Sequence, residues 1–141
     1  MTVDPLEPTD PLGEPAGLRV WADGDPLAPA LAAAAEAGWR TYRLDLAGVR
    51  SRAALMDRCA QVLDLPPWFG RNWDALADCL TDLSWEPEVP GRLLALTSWS
   101  RYAAARPREA EVLQEVLESV VDHWRESGAA AFTTLLVSGV D

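Results

Sequence analysis

Residues 68–80, WFGRNWDALADCL, decide how the rest of the chain is read. Two aromatics, Trp68 and Phe69, run into Gly70, and Asn72 then opens a segment of helical periodicity. Trp73, Leu76, Leu80 and Leu83 recur at helical spacing, which predicts a helix over about 72–83 with one face on a core. Asn72 suits the N-cap, and Asp74 in the first turn suits the positive end of the helix dipole. Asp78 at mid-helix gains nothing from that dipole. At 100° per residue, Asp74, Asp78 and Asp82 fall within roughly an 80° arc opposite the apolar stripe. Like charges four residues apart cost an isolated helix about 0.2–0.5 kcal/mol per pair. The plain reading is a solvated acidic face; the other is a surface kept acidic for a partner.

Outward from this helix the chain alternates strands and helices. LRVWA (18–22) reads as a short strand, DGDP (23–26) as a turn, and the Ala-rich segment 27–37 as a helix stopped by Gly38. WRTYRLDL (39–46) alternates like a strand. Ser51 can cap a helix over 52–63, which Pro66 and Pro67 end. The turn-rich SWEPEVPG (84–91) leads to RLLALTSW (92–99), whose apolar run suits a buried parallel strand. A short helix over 99–106, ended by Pro107, precedes a long helix over 108–127 that Gly128 ends. AFTTLLV (131–137) is the last strand. This order predicts an α/β layer fold with parallel strands and right-handed crossovers. Residues 1–16 contain four prolines and are expected to form a disordered acidic tail, followed by a single domain over 17–141.

Composition narrows the function. Twenty-two acids oppose twelve basic residues, all arginine, for a formal net charge of −10. Such a charge repels nucleic acid and anionic membranes and favours a cationic partner. The chain has one histidine, His123, so a histidine metal cluster is excluded and no cofactor is expected. There is neither a P-loop nor a dinucleotide-binding glycine motif. Cys59 and Cys79 lack CxxC spacing, and with no signal-peptide pattern and no membrane-span-length apolar run the expected setting is cytoplasmic. Asp74 and Asp78 could in principle be an acid/base pair. That chemistry needs a buried carboxyl, and both lie opposite the apolar stripe, so an enzyme is not expected.

LPPWFGRNWDALADCLT (65–81) resembles the signature of the barstar family of ribonuclease inhibitors. The match runs through Leu65, Pro66, Trp68, Phe69, Gly70, Asn72, Trp73, Asp74, Ala75, Leu76, Asp78, Cys79, Leu80 and Thr81, and extends more weakly from about Tyr42 to Val137. The resemblance implies a three-stranded parallel sheet packed with helices over a core of 39–138. Residues 17–38 would then be an N-terminal strand–helix addition. It also implies a job. The acidic helix and its preceding loop would enter the basic active site of an extracellular-type ribonuclease, the carboxylates standing in for RNA phosphates. A monomer suffices for this.

The partner-contact set implied is Trp68, Gly70, Asn72, Asp74, Ala77, Asp78, Thr81 and Asp82, with Asp122 and His123 from the long helix. Trp68 is the outward aromatic and Phe69 the inward one. Three positions depart from the family pattern. Ala77 stands where the family often has tryptophan between the two aspartates. His123 falls where the family carries a second acidic contact, and Asp122 and Glu126 are the neighbouring acids that could take its place. Arg71 adds a positive charge at the binding edge. These departures motivate a second expectation, a barstar-like immunity or interaction protein directed at a toxin or regulatory partner that is not a ribonuclease.

Overall fold

The computed structural model describes residues 9–139. Its elements run β1 (Leu18–Val20), α1 (Leu27–Glu36), β2 (Arg40–Asp45), α2 (Arg52–Val62), α3 (Trp73–Asp82), β3 (Gly91–Thr97), α4 (Trp99–Ala105), α5 (Pro107–Ser127) and β4 (Ala131–Leu136). All strand pairings are parallel, in the order β1-β4-β3-β2. The sheet therefore has four strands where the resemblance implied three. The fourth is the added β1, which pairs with β4 through Leu18–Thr134, Arg19–Leu135 and Val20–Leu136.

Strand alternation sends successive side chains to opposite faces. Tyr42, Leu44, Leu94, Leu96, Phe132 and Leu136 share one core with α2, α3 and α5. Leu93, Ala95, Ala131 and Leu135 share a second with Leu27 and Ala34 of α1 and with Trp39. The N-terminal addition thus supplies an edge strand and covers the second face of the sheet. Every residue of the two central strands, β3 and β4, is buried, as the apolar run at 92–97 requires.

The expected disordered tail over 1–16 falls partly outside the described residues, which begin at Thr9. From there the chain is tied down, because Asp10 is only 4% exposed and is fully engaged. Its Oδ1 accepts from the N–H groups of Leu12 (2.9 Å) and Glu14 (3.3 Å). Its Oδ2 meets Arg19 Nη1 at 2.8 Å and accepts from the Thr133 hydroxyl at 3.2 Å. A buried carboxylate persists only when paired and hydrogen-bonded in this way. Pro107, read from sequence as a stop, instead occupies the start of α5, where its missing N–H costs no helical bond.

At the other end of the strands Asp45 ties β2 to β3. Its Oδ1 accepts from Ala47 N–H (3.1 Å) and from the hydroxyls of Thr97 (3.1 Å) and Ser98 (2.9 Å). Burial acts to raise its pKa, but these bonds and the nearby Arg58 outweigh it and hold the carboxyl below its ordinary value. Among the described residues no helix is long and apolar enough to cross a membrane.

Candidate functional site

Helix α3 forms as its sequence dictates. The Asn72 side chain caps it by accepting from Ala75 N–H at 2.7 Å, and Asp74 lies in its first turn. Leu76, Cys79 and Leu80 are buried on the sheet side, with Trp73 packed at the edge of the same core. Leu83 ends the helix in the left-handed region at φ 53°. Asp74, Asp78 and Asp82 are all exposed on the outer face.

The preceding loop is aimed by its own contacts. Phe69 is buried in the core while Trp68 is 71% exposed, as the resemblance implied. A side chain at Gly70 would press on Ala75 Cβ at 3.3 Å, so glycine lets the loop lie close against the helix. Arg71 takes a positive φ of 55° and forms an ion pair with Asp57. The charge expected at the binding edge is thus matched by a neighbouring carboxylate.

Trp85, in the loop after α3, meets Trp68 edge-to-face with ring centroids 6.0 Å apart. Trp68, Gly70, Asp78, Asp82 and Trp85 line one groove. A second, shallow hollow is lined by Asn72, Trp73, Asp74, Ala75 and Asp78. Ala75 and Asp78 border both, and Asp78 is the charged one of the two. The sequence reading placed Trp85 in a turn-rich loop and missed it; a large aromatic within SWEPEVPG was the available signal. Its indole Nε1–H is buried and has no acceptor among the described residues.

The remaining expected contacts are placed differently. Ala77 is half-buried and contributes no aromatic area. The Thr81 hydroxyl folds back, donating to Ala77 C=O at 2.8 Å and Asp78 C=O at 3.2 Å. On α5, Asp122 is engaged by Arg125 Nη1 at 3.2 Å and lines a hollow with Leu18, Glu118 and Val121, beside β1. His123 is exposed and stands edge-on to Trp124 at 5.6 Å. The structure therefore gathers Trp68, Gly70, Asn72, Asp74, Asp78 and Asp82, while Asp122 stands on α5 in an exposed pair with Arg125.

Some acids of the described chain are paired with an arginine and others are left open to solvent. Asp10, Glu86, Glu109, Asp57 and Asp122 each have an arginine partner. Among the described residues no ion pair reaches Asp74, Asp78 or Asp82. Their charge is felt locally: burial raises the Cys79 thiol, and Asp78 and Asp82 raise it further. Cys59, deeper in the core, is pushed up to about 12 by burial alone. Both cysteines are free and buried, consistent with packing rather than reactivity. Among the described residues no group of three or more His, Cys, Asp or Glu side chains is arranged to hold a metal ion.

Asp74 and Asp78 thus present two open carboxylates beside an aromatic groove. The arrangement can accept charge-assisted hydrogen bonds from a cationic surface. A search of curated proteins returns no match. The family model described as Barstar (barnase inhibitor) matches residues 39–136, beginning one residue before β2 and ending with β4. With more than half of its length matched, and with the parallel sheet and the capped acidic helix in place, the chain belongs to the barstar family.

Proposed function

We propose that this chain inhibits a basic ribonuclease without catalysing a reaction of its own, by laying α3 and the 68–72 loop over the nuclease's active site. The observation that carries the reading is the row of exposed aspartates on α3 that no arginine of the described chain neutralises. An RNA-cleaving site clusters cationic groups around a phosphate. Asp74 and Asp78 are the residues to meet that cluster, with Asp82 at the edge and Asn72 at the helix start. Trp68, with Trp85 against it, supplies the aromatic area typical of a binding hot spot. Family membership supports the same partner class.

Occlusion makes a specific demand. A mononucleotide bound in the nuclease's active site must compete with the chain. Raising the nucleotide concentration is expected to weaken the apparent affinity in proportion to nucleotide occupancy. An affinity indifferent to nucleotide would contradict occlusion.

A second reading has its own support. Ala77 leaves the middle of α3 without an aromatic side chain, and the Asp122–Arg125 pair withholds an acid of α5. This footprint also fits a barstar-fold immunity protein directed at a cationic toxin other than a ribonuclease. Capture from the native host of a basic partner with no nuclease activity would favour it.

A further inference from the structure

Past the C-terminal end of α3 the surface deepens into a pocket lined by Asp82, Glu86, Glu88, Arg92, Trp124 and Ala129. Two helices end near its rim, α3 at Asp82 and α5 at Ser127. Helix C-termini carry partial negative charge. Asp82 and Glu88 are exposed and add full charges, and neither forms an ion pair among the described residues. The cation of the lining, Arg92, is already matched, with Nε 3.1 Å from Glu86 Oε1.

Glu86 is an independent sign of a missing donor. Its side chain is only 4% exposed. Oε1 accepts from the Tyr42 hydroxyl at 2.6 Å and from Arg92 Nε. Among the described residues Oε2 is buried without a hydrogen-bond donor; it forms an ion pair with Arg40, whose Nε stands 3.5 Å away without being placed to donate. A carboxylate oxygen withdrawn from water remains unfavourable until a donor reaches it. Trp124 adds an aromatic wall. Its Nε1–H is anchored to Leu80 C=O at 2.8 Å, and the Arg92 guanidinium already lies 5.5 Å from its ring centroid. Carboxylates, an indole wall and two helix C-termini together favour a cation. Among the described residues no group of side chains is arranged for a metal ion, so the fitting cation is an organic, hydrogen-bonding one.

We propose that this pocket is a socket for one arginine side chain of the protein partner, extending the α3 surface across Asp82. The inference rests on the inhibitor reading for the partner's identity alone; the preference for a guanidinium is tested without that partner. The full chain would be titrated with N-acetyl-arginine methylamide, and separately with its lysine counterpart, while NMR follows the Ala129 and Ala130 amides and the Trp124 indole N–H. The expected result is a saturable response at these groups, stronger for arginine than for lysine. Asp82→Asn with Glu88→Gln is expected to weaken it roughly tenfold, the scale of a lost charge-assisted bond, at an unchanged thermal midpoint because both residues are exposed. A response that never saturates, or that is equal for the two cations, would overturn the socket. So would a response confined to the Asp74 and Asp78 amides, although the α3 reading would stand. Failure of nuclease inhibition alongside an intact arginine response would sink the inhibitor reading alone.

Discussion

Asp78 is the side chain on which the proposed contact turns, because it borders both the aromatic groove and the hollow at the start of α3. It is exposed and makes no ion pair among the described residues, so Asp78→Ala should leave the unfolding free energy within about 0.5 kcal/mol of native. The same change should weaken the nuclease complex by about 2 kcal/mol or more, the range of a hot spot, for which a barstar aspartate is itself a type example. A loss under about 0.5 kcal/mol, measured by calorimetry, would remove Asp78 from the interface. Gly91 is held to glycine for a different reason. A Cβ there would stand 2.4 Å from Cε2 of the buried Trp39 indole. Gly91→Ala should destabilise the fold by about 1–3 kcal/mol in denaturant unfolding, and an unchanged midpoint would contradict that packing. Asp45 adds a pH-dependent contribution. Its folded carboxyl is held below the ordinary value of 3.8, so the charged form contributes stability above that pH and loses it as pH falls through the depressed value. The stability gap between native and Asp45→Asn should therefore be present at neutral pH and close on acidification; a gap that widens would refute the linkage.

The elements were largely legible because each amphipathic helix and buried strand carries its own periodicity. Helix α3 is clearest: cap, apolar stripe and acidic stripe are local features of one short stretch. What escaped was non-local or conditional. The place of β1 beside β4 depends on pairing across more than a hundred residues, which no local pattern encodes. Thr9–Ala16 looked disordered by composition, yet Asp10 finds Arg19 and Thr133 only once the sheet exists. Trp85 reads as one aromatic in a loop until the fold brings it to Trp68. The Asp122–Arg125 pair was readable, since Arg125 lies three residues on along the same helix. Helix α1 has a corresponding test. Leu27 is fully buried against the second face of the sheet, so Leu27→Ala should cost about 2–5 kcal/mol. A cost well below 1 kcal/mol would mean that the addition rests on the sheet without stabilising it.

For the whole molecule, charge and fold point the same way. A net charge of −10 surrounds an acidic helix that is exposed and, among the described residues, unneutralised, while Arg19, Arg71, Arg106 and Arg125 are paired with other acids. Such a field draws in a cationic partner and is screened by salt. The barnase–barstar pair is a standard example of this steering, so the expectation follows from family membership as well as from charge. The association rate with a basic nuclease should fall steeply between about 0.05 and 0.5 M salt, whereas dissociation should change less. A flat association rate in stopped-flow measurements would argue against steering. The most direct test of the central claim is to titrate the chain, and its Asp78→Ala variant, into a barnase-class ribonuclease and into the native host's own secreted ribonuclease while following RNA cleavage. The account predicts that one equivalent of the native chain abolishes cleavage by at least one of them and that the variant needs a large excess. Undiminished cleavage by both nucleases at many equivalents of the native chain would contradict it.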